Sequence, residues 1–208
     1  MTRGRLITIE GIDGAGKSTL AIALAARLRE HGVAPELLRE PGGVEAAERV
    51  RALVADPALR IGARAEALLY AAARAQLVEE RLEPLLAAGR WVLLDRFIDS
   101  SLAYQGAGRG LGVAAIAELN RFATASMRAD RTLLLRIDPA LGRSRQACRG
   151  GPVDRLEGAG ENFFQAVAAA YDELARAEPE RIRVLDAELD PAALLDSAVA
   201  ALVDLLAP

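Results

Sequence analysis

Gly11-Ile12-Asp13-Gly14-Ala15-Gly16-Lys17-Ser18, followed by Thr19, decides the reading of this chain. It fits G-x-x-x-x-G-K-[ST], directly after the apolar run 6–9 and before a helical pattern over 17 to about 29. Glycines at this spacing let successive backbone N–H groups turn inward around phosphate oxygens. Lys17 would reach the β- and γ-phosphates, Ser18 could hold Mg²⁺, and the helix N-terminus adds positive potential. The stretch predicts a nucleoside-triphosphate site.

Composition sharpens that reading. The chain has 208 residues and 26 basic side chains, of which a single one, Lys17, is lysine. Lysine is a compact charge on a thin stem and arginine a broad planar fork, so the one retained lysine marks a position that needs the narrower shape. Acidic residues number 29, giving a formal charge of −3 and no basic excess for a nucleic-acid or membrane partner. The apolar fraction of 52% argues against disorder. No apolar run is long enough for a membrane span, and the start resembles no leader. The lone cysteine, Cys148, has no internal partner. A cytoplasmic protein is expected.

Outward from the loop, apolar and helical stretches alternate. Strands are expected at 6–9, 36–38, 91–94, 132–137 and 182–185. Helices are expected at 17–29, 45–54, 64–87 (bent near Pro84), 113–125, 139–148, 161–178 and 191–206; 100–106 reads as part of a loop after the third strand. This alternation predicts an α/β fold in one domain, with a five-stranded parallel sheet flanked by helices on both faces. Loops beyond the strand carboxyl ends would line the ligand crevice.

A GTPase needs an N-K-x-D guanine reader, which a chain with only Lys17 cannot contain, and no L-S-G-G-Q-like transporter signature is present. That leaves a small kinase, which must also hold an acceptor. Asp95-Arg96 ends a strand where a carboxylate can reach Mg²⁺, directly or through water. Arg39-Glu40-Pro41-Gly42-Gly43 ends another. Tyr70 and Arg74 lie four apart on one helix face, so ring and guanidinium can share a pocket. Ser100, Ser101, Tyr104 and Gln105 follow with hydroxyls and an amide. His31 is a solvated residue at the end of the first helix.

Together with Asp154-Arg155-x-Glu157, these motifs in this order resemble bacterial thymidylate kinase, a P-loop kinase fold with a short lid at about 143–160. The resemblance implies ATP-dependent phosphorylation of dTMP to dTDP, with Mg²⁺ on Ser18 and Asp95, by a homodimer. It implies that Tyr70 stacks on thymine, that Arg74 meets its O4, and that Ser101 and Gln105 surround the base edge near Ser100. Arg51, Arg96, Glu40, Pro41 and Asp13 would surround the acceptor sugar and phosphate, with Tyr104 crowding the 2′ position. Arg145 would cover adenine, flanked by Asp186 and Ala187. Some relatives carry an arginine inside the loop. Gly14 stands there here, so a lid arginine, Arg149, Arg145 or Arg155, would assist Lys17, Arg96 and Asp95 in catalysis. A cis Glu40–Pro41 peptide is also expected. A kinase for another nucleoside monophosphate and a non-catalytic ATP-binding regulator are the competing readings.

Overall fold

The structure, a computed structural model, describes residues 3–149, 155–156 and 160–206, of Arg149 the backbone alone. In chain order the elements are β1 (Leu6–Glu10), α1 (Lys17–Glu30), β2 (Glu36–Arg39), α2 (Glu45–Ala55), α3 (Ala63–Leu77), a π-helical turn (Val78–Leu82) and α4 (Glu83–Ala87). Then follow β3 (Val92–Asp95), α5 (Ile98–Ser101), a π-helical segment (Leu102–Gly108), α6 (Val113–Ala123), β4 (Arg131–Arg136) and α7 (Pro139–Arg149). α8 (Glu161–Ala177), β5 (Ile182–Asp186), α9 (Pro191–Ala200) and α10 (Val203–Leu206) complete the chain.

The five strands form one parallel sheet in the order β2-β3-β1-β4-β5. β1 is central and all five of its residues are buried, as expected of a parallel strand covered on both faces. Ile7 and Ile9 join a core with Leu24 and Leu28 of α1 and Leu194 and Ala198 of α9. Leu6, Val92 and Leu94 pack against Leu77, Leu82 and Leu86 around α3 and α4. Register then sets the site: Ile9 faces Asp95, and Asp95 faces Arg39. The carboxyl ends of β1, β3 and β2 therefore lie side by side, and the three loops that leave them open into one crevice.

The predicted five-stranded α/β architecture is the one observed, and the Glu40–Pro41 peptide is cis. Four expectations need correction. The stretch after β3 is no loop: 98–108 is helical, with its second half wound as a π-helix. Its support is tertiary, because Tyr104 packs edge-on against Phe163 and Tyr171 of α8 at ring-centroid distances of 5.9 and 6.5 Å. The 64–87 helix is interrupted at Val78–Leu82, ahead of Pro84. Proline has no N–H to offer the fourth carbonyl back, so the irregular turn precedes it. The 113–125 helix stops at Ala123, since Ala125 and Ser126 take positive φ, and the last helix divides between α9 and α10.

Candidate active site

At one end of the crevice the glycine loop wraps the start of α1. Gly16 caps α1 with φ 94° and, among the described residues, no side chain caps the first-turn N–H groups, leaving them for an anion. Lys17 Nζ is turned back onto the carbonyls of Gly11 (3.1 Å) and Ile12 (2.9 Å). Burial, and then the Arg96 charge, pull its ammonium down to about 8. Ser18 Oγ donates to Asp95 Oδ2 at 2.6 Å, bringing together the two oxygens expected to hold a metal. Thr19, Gly14 and Gly16 line the same wall.

Arg96 follows β3 in a left-handed conformation, φ 70°, which non-glycine residues adopt at a cost of about 1–3 kcal/mol. Its guanidinium is held there by Asp13 Oδ1, Ser100 Oγ, the Gly11 carbonyl and the Tyr104 ring. Tyr104 donates its hydroxyl to Asp13 Oδ2 at 3.0 Å. Burial works to raise the Asp13 carboxyl, but Arg96, Lys17 and the Tyr104 hydroxyl outweigh it and hold it at about 2. Beneath this group lies Glu10, which the sequence reading missed. It accepts from the backbone of Phe97 and Ser100 and from the hydroxyls of Ser100 and Tyr171. Burial and the neighbouring Asp99 charge push its carboxyl up.

The crevice continues, about 450 Å³ in all, past Arg51, Glu40 and Pro41 to Tyr70, Arg74, Ser101 and Gln105. Arg51 donates to the Pro41 carbonyl at 3.0 Å. Arg74 is 2% exposed and fully engaged. Nε and Nη2 meet Glu40 Oε2 at 2.7 and 2.6 Å, Nη2 also donates to the Phe97 carbonyl, and Nη1 donates to Ser101 Oγ and Asn120 Oδ1. Burial pushes the Glu40 carboxyl up to about 7 despite Arg74, and its Oε1 has no partner among the described residues.

Asn120 and Glu66 were also missed. Glu66 had a sequence signal, because 66, 70 and 74 share one face of α3 at intervals of four. Asn120 arrives from α6, and its only local sign is a polar residue one turn after the buried Ile116.

The other expected site residues lie apart. Arg145 donates to the Ala187 carbonyl at 2.8 Å, so those two meet beyond β5. Asp186 borders a second groove with Gly11, Ile12 and Pro139. Arg155 N and Nε donate to the carbonyls of Ala55 and Val54, and its Nη2 lies 2.6 Å from Glu66 Oε2 as an ion contact rather than an aligned hydrogen bond. It is tied to α2 and α3. The Arg149 side chain, Asp154 and Glu157 lie outside the described residues.

With this geometry in hand, a family model described as thymidylate kinase matches residues 9–197. The chain belongs to the thymidylate kinase family. The thymidylate kinase of Halorhodospira halophila is 47% identical over 98% of this chain and 96% of its own length. That of Deinococcus radiodurans is 50% identical over 90% of each. The crystal structure of thymidylate kinase from Ehrlichia chaffeensis superposes with a TM-score of 0.78 at 28% identity, covering 97% of this chain and 99% of that one. Within the family fold, Gly14 has a steric meaning here. A Cβ added to it would stand 2.0 Å from the Gly142 carbonyl oxygen of α7, at φ +81°. This loop has no room for a side chain at position 14.

Proposed function

We propose that the chain transfers the γ-phosphoryl group of ATP to dTMP, giving dTDP and ADP and so supplying dTTP for DNA synthesis. Family membership supports the reaction. The observation that carries it is one crevice with a triphosphate loop at one end and, at the other, the polar and ring set Tyr70, Arg74, Ser101 and Gln105.

An acceptor phosphate oxygen attacks the γ-phosphorus while the bond to the β-bridging oxygen breaks. A phosphate monoester has a second pKa near 6 and is largely dianionic at neutral pH, so no general base is needed. Catalysis then rests on position and charge neutralisation. Lys17 leaves the loop carbonyls for the β- and γ-phosphates, and the free N–H groups of α1 complete the cradle. Arg96, set by Asp13, and Arg51 meet the acceptor phosphate. Glu40 and Asp13 neighbour its sugar, and Tyr104 excludes a 2′-hydroxyl. Two hard oxygens in contact, Ser18 Oγ and Asp95 Oδ2, fit Mg²⁺. When bound, Mg²⁺ would neutralise charge on the triphosphate. The closed space at Gly14 favours an arginine from the end of α7 or the following lid, Arg149 among them, for the transferring group. Arg145, Asp186 and Ala187 would border adenine.

No helix among the described residues is long and apolar enough to cross a membrane, consistent with a cytoplasmic enzyme. Leu68 of α3 and Phe122 of α6 are 58% and 87% exposed, and they support a homodimer through these helices. Coupled ADP release with dTMP, dUMP, dCMP, dGMP and dAMP tests the assignment. dTMP should give the highest kcat/KM, and absence of turnover with dTMP would overturn it.

A further inference from the structure

Gln105 is 2% exposed and lines the nucleoside end of the crevice. Its Nε2 donates to Glu66 Oε1 at 2.9 Å, and its Oε1 takes no hydrogen bond among the described residues. A primary amide has two faces of opposite character, and which one meets the crevice depends on what holds the other. Glu66 is wholly buried on α3 behind Gln105. Burial works to raise its carboxyl, but hydrogen bonds from Gln105 and Arg109, with the Arg155 ion contact, hold it below the usual carboxylate range. It therefore stays ionised and can only accept. The reversed amide would set two acceptor oxygens against each other at 2.9 Å, so the Gln105 oxygen is left for the crevice.

We propose that Glu66 is a specificity-determining positioning residue: by accepting only, it fixes the Gln105 amide so that Oε1 accepts the imide N3–H of thymine and repels the N3 lone pair of cytosine. Arg109 and Arg155 hold the carboxylate in place, with Arg109 Nε and Nη2 at 3.2 and 3.1 Å. This rests on the assignment of dTMP as acceptor and adds how its base is read. Arg74 cannot supply that reading alone, because Glu40, Phe97, Ser101 and Asn120 already occupy its N–H groups.

The test measures kcat and KM for dTMP and dCMP in the wild type, Glu66→Gln, Gln105→Leu and the double variant. A glutamine at 66 can offer either face, so the Gln105 amide is freed. Glu66→Gln should lower the dTMP/dCMP ratio of kcat/KM by about tenfold or more, through a higher KM for dTMP with a smaller change in kcat. In the Gln105→Leu background the same substitution should leave the ratio unchanged. An unaltered ratio in soluble, active Glu66→Gln, or an equal loss in both backgrounds, would overturn the proposal. N3-methyl-dTMP provides an arm that needs no variant. The wild type should use it about ten- to a hundredfold less efficiently than dTMP, and equal efficiency would overturn the proposal. If dTMP itself is not turned over, the acceptor assignment fails first, and the inference with it.

Discussion

Two buried carboxylates, Glu40 and Glu66, stand at the nucleoside end of the crevice and are kept in opposite states. Glu40 has one counter-ion: Arg74 meets Oε2, while Oε1 has no partner among the described residues. Glu66 receives Gln105, Arg109 and Arg155 across both oxygens. Burial dominates in the first case and lifts the carboxyl to about 7, whereas in the second the donors prevail and hold it low. The difference is one of saturation. A buried carboxylate is cheap to keep ionised only when its lone pairs are filled. Glu40, half filled, has an oxygen left for a ligand donor. Glu66 is filled from within the protein and can fix the side chain in front of it.

Removing each carboxylate should separate them most strongly. Glu40→Ala leaves the Arg74 guanidinium buried without a counter-charge and should cost about 3–5 kcal/mol in urea unfolding. A loss below about 1 kcal/mol would mean that Phe97, Ser101 and Asn120 alone satisfy Arg74, and the contrast would collapse.

Acidity comes next, and the two groups should act with opposite sign. Between the ordinary glutamate value of 4.5 and about 7 the folded chain holds a proton on Glu40 that the unfolded chain has lost. Stability from this group therefore falls as pH rises through that window, by up to about 3 kcal/mol. For Glu66 the folded chain binds fewer protons on the acid side, so its contribution is present above 4.5 and lost as pH falls through its lowered value. Unfolding free energies at several pH values should show Glu40→Gln flattening the neutral slope while sparing the acid limb. A neutral slope unchanged in that variant would reassign it to another group.

Glu66→Ala should cost less than Glu40→Ala, about 1–3 kcal/mol. Its arginine partners keep a route to water, with Arg109 and Arg155 side chains 25% and 13% exposed against 2% for Arg74. The reverse ranking in the same urea series would show that partner exposure does not set the penalty.

The contrast also explains what could be read from the chain alone. The triphosphate loop is legible because its geometry is local: glycines at fixed offsets and one lysine. The pair Tyr70 and Arg74 is legible because a helix repeats every 3.6 residues, and the same rule reaches Glu66. Residues 98–108 gave no such signal. Gly106 and Gly108 speak against a helix, and the segment is held by Tyr104 against Phe163 and Tyr171, some sixty residues further on. The counter-ions of the site were likewise invisible. Arg74 draws partners from four separate places, Glu40, Phe97, Ser101 and Asn120, and Glu66 from the segments carrying Gln105, Arg109 and Arg155. Only packing brings them together.

Asn120 gives the smallest and most selective probe. Its Oδ1 accepts from Arg74 Nη1, while its Nδ2 donates to the Ile116 carbonyl one turn back in α6. The second bond lies within the helix, and that carbonyl can also accept a backbone N–H, so its loss is nearly neutral. The first holds Arg74 on the side away from Glu40. Asn120→Ala should therefore cost about 1 kcal/mol of stability, as one hydrogen bond to a buried guanidinium. Arg74 keeps Glu40, Phe97 and Ser101, so its displacement is small and KM for dTMP should rise only a fewfold. No hydrogen bond among the described residues joins Asn120 to the Gln105 amide, so the dTMP/dCMP ratio should stay at its wild-type value. That outcome would place base choice on the Glu66 side and guanidinium placement on the Glu40 side. A ratio that falls in Asn120→Ala as far as in Glu66→Gln would show that the two carboxylates act as one unit, and that Arg74 takes part directly in choosing the base.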